Sequence, residues 1–82
     1  MATKHPHLEL FYMPTCPYCR KVLTWMGEHD VEDVELLDIL EEPKNKTRLI
    51  EEGGKHQVPC LFIDGKPLYE SDDIIKYLAT IY

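Results

Sequence analysis

The chain has 82 residues, 44% of them hydrophobic and 29% charged, which is typical of one small globular domain. Its formal net charge of −6 argues against a nucleic-acid binder, which normally presents a basic face. No apolar run approaches the roughly 20 residues that span a bilayer, and residues 1–7 lack the apolar segment of a secretory signal. We therefore expect a single domain over residues 1–82, located in the cytoplasm, with no nucleic-acid or membrane partner.

Apolar runs and turn residues predict seven elements in the order β-α-β-α-β-β-α, and hence an α/β fold with one sheet and helices on its faces. Asp64-Gly65 is a strong hairpin signal, Gly53-Gly54 predicts a left-handed helix end, and Ser71 is the expected N-cap of the last helix. The predicted strands are Leu8–Tyr12, residues 34–39, Cys60–Ile63 and Lys66–Tyr69, and the predicted helices are Pro17–Glu28, residues 43–52 and a last helix from Ser71.

The tetrapeptide Cys16-Pro17-Tyr18-Cys19 carries the clearest chemical signal. It places two thiols at the predicted start of a helix, where free N–H groups and the helix dipole favour a thiolate, the nucleophile of disulfide exchange. Pro17 suits the first helical position. The alternatives are a pair of buried thiols or half of a zinc site, which would need two further ligands. Three cysteines form an odd count, which favours a reduced setting with one working pair.

Four anchors in this order resemble the dithiol glutaredoxins of the thioredoxin-fold superfamily, over nearly the whole chain. They are the tetrapeptide, Val58-Pro59, the segment Phe62-Ile63-Asp64-Gly65, and Ser71-Asp72-Asp73. The resemblance implies a thioredoxin-like fold with a central mixed four-stranded sheet and three flanking helices. It also implies a cis peptide bond before Pro59, with the backbone of Val58 available to pair with an extended thiol peptide.

The resemblance further implies a glutathione-dependent thiol–disulfide oxidoreductase. Cys16 is then the nucleophile, and its mixed disulfide is resolved either by glutathione or by Cys19. Glutathione is the co-substrate, glutathione reductase recycles it indirectly, and proteins carrying disulfides or bound glutathione are the other partners. We expect a monomer with no bound metal or prosthetic group.

The resemblance assigns the γ-glutamyl end of glutathione to Ser71 and Asp72, at the start of the last helix. Free helix N–H groups bind a carboxylate and Asp72 can pair with an ammonium group, although plain capping and helix-dipole stabilisation are the alternatives. Many glutaredoxins have a lysine where this chain has Met13. Lys46, and with it Arg48, are candidates for the missing positive charge, unless they form only a solvated helix face.

Gln57 offers a side-chain amide to the ligand, and Tyr18 is expected to be exposed beside the substrate groove. Tyr69-Glu70-Ser71 is closer to the glutathione-transferase-like branch than to typical glutaredoxins. Because the sequence ends at Tyr82, we expect no second, helical transferase domain and no transferase activity. Cys60 is expected to be an inert buried residue.

Two other functions stay open from the sequence. One is an electron donor recycled by thioredoxin reductase, which the absence of the usual lysine at Met13 favours. The other is a non-catalytic module that binds glutathione or an iron–sulfur cluster.

Overall fold

Four short strands and three helices follow one another in the predicted order. The computed structural model describes residues 7–82; the expectation about a secretory signal falls almost entirely on residues 1–6, outside the described part. No helix among the described residues is long and apolar enough to cross a bilayer. The elements are β1 (Leu8–Tyr12), α1 (Pro17–Glu28), β2 (Val34–Asp38), α2 (Pro43–Gly53), β3 (Cys60–Ile63), β4 (Lys66–Tyr69) and α3 (Ser71–Ile81).

The strands form one mixed sheet in the order β2-β1-β3-β4. β1 pairs in parallel with β2 and antiparallel with β3, and β3 pairs antiparallel with β4. Asp64 and Gly65 join β3 to β4 with φ angles of +50° and +85°, which a two-residue hairpin turn requires and which Asp and Gly tolerate. The predicted hairpin is therefore confirmed.

Alternation along β1 divides the core between the two faces of the sheet. Leu8 and Leu10 pack with residues of α1 and α3, whereas Phe11 packs with Leu49 of α2 and with Phe62 of β3. The rings of Phe11 and Phe62 lie 4.6 Å apart between centroids, in a tilted arrangement. Helices α1 and α3 thus share one face, and α2 covers the other.

Two predicted boundaries differ by one residue from those observed. β2 ends at Asp38, because the Asp38 carboxylate accepts hydrogen bonds from the N–H groups of Leu40 and Glu41, at 2.8 and 3.1 Å, and so turns the chain. Ile39 is therefore outside the strand although it stays buried. α2 continues through Gly53 and ends at Gly54, whose φ of +90° is the predicted left-handed cap.

A partly buried ion pair connects β1 to α2. Two Arg48 nitrogens donate to the two carboxylate oxygens of Glu9, at 2.9 and 3.1 Å, and Arg48 also bonds Glu52. The Glu9 side chain is only 12% exposed. The hydrogen bonds from Arg48 hold the pKa of Glu9 below its usual value, against the effect of burial.

We predict that Arg48→Met lowers the free energy of unfolding by about 2 kcal/mol, because it leaves the Glu9 carboxylate nearly buried without a partner. A carboxyl group with a lowered pKa stabilises the fold at neutral pH, and this contribution is lost as pH falls through that pKa. The difference from wild type, measured by urea unfolding, should therefore shrink at acidic pH. Lys44→Met, an exposed change on the same helix, is the control; an equal loss there would contradict the prediction.

Two helical glycines should respond oppositely to alanine. A Cβ at Gly53 would lie 2.6 Å from the Tyr69 hydroxyl, which is held by the backbone of Lys55, whereas a Cβ at Gly27 meets nothing within 4 Å. We expect Gly53→Ala to lower stability by about 1–3 kcal/mol and Gly27→Ala to raise it by about 0.5–1 kcal/mol, in urea unfolding. Shifts of the same sign would refute this packing argument.

Candidate functional site

Cys16 lies at the N-terminus of α1, held there by the loop that follows β1. It is the N-cap residue in extended conformation, Pro17 is the first helical residue as predicted, and Cys16 is half-buried. Its N–H donates to the Met13 carbonyl at 3.1 Å, and its carbonyl accepts from the Arg20 N–H at 3.0 Å. These bonds fix the backbone of Cys16 at the helix start, where the first N–H groups have no partner within the helix.

Cys19 lies one turn inside the helix and is fully buried. The Met13 N–H donates to its sulfur at 3.4 Å. Burial, with a smaller contribution from the neighbouring Cys16 sulfur, raises the pKa of the Cys19 thiol to about 12, although the hydrogen bond from Met13 opposes the shift. Both cysteines are free thiols. The two thiols therefore differ in access, because Cys16 is half-buried and Cys19 is fully buried.

A groove of about 650 Å³ lies where the start of α1 meets the start of α3; Tyr18, between the two cysteines in sequence, lines it, whereas Cys16 and Cys19 do not. It brings together six of the residues that the sequence analysis assigned to glutathione. The lining residues are Tyr18, Lys21, Gln57, Val58, Pro59, Glu70, Ser71, Asp72 and Asp73.

The segment just before β3 lines one side of the groove and has the expected cis peptide bond between Val58 and Pro59. Pro59 is buried and Val58 half-buried. Gln57 donates from its amide to the Glu70 carboxylate at 3.0 Å, so its side chain is already engaged. Tyr18 is 65% exposed at the rim, as predicted.

The start of α3 differs from the prediction. Glu70, not Ser71, is the N-cap residue, and no side chain caps the helix. Ser71 is already helical and buried, so the expectation that it caps is wrong. A side-chain cap requires extended backbone just before the helix, and Glu70 instead has a φ of +74°. Ser71 still lines the groove.

Three lining residues were not predicted to contact the ligand: Lys21, Glu70 and Asp73. Lys21 forms an ion pair with Asp72, connecting α1 to α3 across the groove. The hydrogen bond from Lys21 holds the pKa of the Asp72 carboxyl below its usual range. A signal was available, because Lys21 follows Tyr18 by three residues and so shares its helix face.

The structure does not bring the predicted positive charge of α2 to this groove. Lys46 is exposed on α2 and is not among the lining residues. Arg48 is bonded to Glu9 and Glu52. Cys60 is buried behind Pro59, and burial raises the pKa of its thiol to about 11.

One cluster of metal-capable side chains occurs within residues 7–82. Ligand atoms of His7, Glu9 and Glu35 lie within 4.8 Å of one another. His7 immediately precedes β1, Glu9 is on β1 and Glu35 is on β2. Because Arg48 already binds both oxygens of Glu9, we assign no metal to this cluster.

The chain is similar both to glutathione S-transferases and to glutaredoxins. Residues 10–82 match the family described as glutathione S-transferase, N-terminal domain. Glutaredoxin 1 of Rickettsia prowazekii (strain Madrid E) is 31% identical over 69 residues, 82% of this chain and 72% of that protein. Glutathione S-transferase D7 of Anopheles gambiae is 34% identical over 74 residues, 89% of this chain. The chain spans 34% of the length of that transferase.

A solved structure also matches. The crystal structure of a glutathione S-transferase from Methylobacillus flagellatus with glutathione bound superposes with a TM-score of 0.70 at 32% identity, covering 87% of this chain and 35% of that one.

The sheet order and the three helices define the thioredoxin-like fold, a class that accommodates many activities. This chain belongs to the glutathione S-transferase N-terminal domain family and is a glutaredoxin-like member of that fold.

The three thiols should react at very different rates. We expect iodoacetamide at pH 8 to modify Cys16 first, because a thiol with a pKa of about 12, such as Cys19, is only about one part in ten thousand thiolate there. Intact-mass spectrometry should show one rapid addition, which Cys16→Ser abolishes. Two additions at equal rates, or rapid labelling of Cys16→Ser, would disprove this order.

Proposed function

We propose that this protein is a glutathione-dependent thiol–disulfide oxidoreductase acting through Cys16 and Cys19. One observation carries the proposal: the half-buried thiol of Cys16 at a helix N-terminus lies next to the buried thiol of Cys19, on the helix whose Tyr18 and Lys21 line a groove. The partners are glutathione and proteins with disulfides or bound glutathione, and glutathione reductase restores the glutathione. We propose a cytoplasmic monomer that needs no bound metal or prosthetic group.

In the first step, the Cys16 thiolate attacks one sulfur of a substrate disulfide. A new disulfide forms on Cys16, the substrate bond breaks, and the departing thiolate takes a proton from solvent. The free N–H groups at the start of α1 stabilise the attacking thiolate, and Val58 offers its backbone to the extended substrate. In the groove, Ser71 and Asp72 hold the γ-glutamyl end when the bound thiol is glutathione.

Two exits follow from that intermediate. In one, glutathione attacks the mixed disulfide, which releases an oxidised product and restores the Cys16 thiolate. In the other, Cys19 loses its proton and displaces the bound thiol, and two glutathione molecules then reduce the Cys16–Cys19 disulfide. Burial and the raised pKa of Cys19 favour the first exit, because the buried thiol loses its proton reluctantly.

The family match supplies a second candidate, conjugation of glutathione to an electrophile. In conjugation, the reacting sulfur belongs to glutathione, and no protein thiol takes part in bond exchange. The free thiol of Cys16 at the helix start favours disulfide exchange instead. Recycling by thioredoxin reductase and non-catalytic binding are the further alternatives that an experiment must separate.

The proposal predicts a clear division between the cysteines. The test is the reduction of a glutathione mixed disulfide by glutathione, coupled to glutathione reductase. Cys16→Ser should lose activity by at least about a hundredfold because it removes the nucleophile, whereas Cys19→Ser keeps most of it. Cys60→Ala, which removes the third thiol, is the matched control and should behave as wild type.

Other results would support the alternatives. Wild type that is inert with glutathione but active with thioredoxin reductase would be the electron donor. Cysteine-independent conjugation of glutathione to a chloronitroarene, without disulfide reduction, would indicate a transferase. Freshly purified protein with visible absorbance and no activity would indicate a cluster-binding module.

A further inference from the structure

Lys21 is the one basic side chain among the described residues that line the groove. Glu70, Asp72 and Asp73 contribute three carboxylates to the same lining. Such a surface attracts an ammonium group and repels a carboxylate, and glutathione carries two carboxylates and one ammonium group. A ligand of that charge needs a compensating cation, and α2 does not supply it to this groove.

The position of Lys21 suits one part of such a ligand. Its ammonium group is paired with the Asp72 carboxylate, and both side chains are more than half exposed. The pair therefore presents one positive and one negative end side by side, open to solvent. An α-amino acid head group has the same two charges on neighbouring atoms, so the four charges alternate when it lies against the pair.

We propose that Lys21 and Asp72 together form a clamp for the zwitterionic α-amino acid head of the ligand. Asp72 accepts hydrogen bonds from the ligand ammonium, and Lys21 donates to its α-carboxylate. The inference rests on the proposed function, because it names the part of glutathione that Lys21 contacts. Lys21 is then a specificity-determining residue that selects a γ-glutamyl group with both charges over thiols that lack one of them.

A competing role for Lys21 predicts the opposite change in ligand affinity when Lys21 is replaced. If Lys21 only occupied Asp72 in the free protein, its removal would release Asp72 for the ligand ammonium, and affinity would rise. In the clamp, its removal leaves the ligand carboxylate facing three protein carboxylates, and affinity falls. The direction of the change in affinity separates the two roles.

The experiment measures dissociation constants of S-methylglutathione, which cannot exchange disulfides, by isothermal titration calorimetry. Lys21→Gln should weaken binding by about fivefold or more. Lys66→Gln, an exposed lysine of β4 outside the groove lining, makes the same change in net charge and should leave binding unaltered. For the S-methyl analogue whose γ-glutamyl residue lacks its α-carboxylate, wild type and Lys21→Gln should bind equally.

Three results would overturn the clamp while leaving the proposed function intact: unchanged or tighter binding of S-methylglutathione by Lys21→Gln, the same loss in Lys66→Gln, or an equal loss of affinity for the analogue. Wild type that does not bind S-methylglutathione at all would overturn both the clamp and the proposed function.

Discussion

Met13 is the residue on which the geometry of both thiols depends. Its carbonyl accepts the N–H of Cys16 and its N–H donates to the sulfur of Cys19, so one backbone unit positions the two cysteines on either side of the helix start. Its side chain packs against the α2 face of the core. Position 13, where many glutaredoxins have a lysine, thus has a structural role in this chain. That role uses backbone atoms, which any residue other than proline would supply.

The pairing of the strands positions the other segments of the site relative to Met13. β1 ends just before Met13, and its antiparallel neighbour β3 begins directly after Pro59. The cysteine end and the Val58–Pro59 wall are therefore fixed by the same strand pairing. The short β4 then leads directly into α3, whose first residues form the opposite wall. Three segments distant in sequence converge because central strands hold their ends close together.

Local signals predicted much of this arrangement. Pro17 at the first helical position, the Asp64-Gly65 turn and the left-handed Gly54 all depend on the conformational preferences of single residues, which can be read without a structure. Six of the nine residues that line the groove were predicted from the family resemblance. The start of α3 could not be predicted in the same way, because Glu70 adopts a positive φ that its residue type does not favour.

The role of the basic residues was harder to predict, for a related reason. Composition shows how many lysines and arginines exist but not which acidic partner each meets. Arg48 is bound to Glu9, 39 positions away, and Lys21 pairs with Asp72, 51 positions away. These choices depend on how helices pack on the sheet, which no local pattern contains. The element ranges were therefore predictable from local patterns, and the ion pairs between elements were not.

The burial of Cys60 affects how many of the three thiols can be oxidised. Cys60 is buried and its pKa is raised by burial, so it is a poor target for an oxidant, whereas Cys16 at the helix start is the most accessible of the three thiols. Under the proposed function, a chain oxidised to a Cys16–Cys19 disulfide would keep Cys60 as one buried thiol and would act as a two-electron couple despite its odd number of cysteines. Such an oxidised chain would have no accessible thiol with which to form a disulfide to a second chain, so the proposed redox cycle would not accumulate covalent dimers.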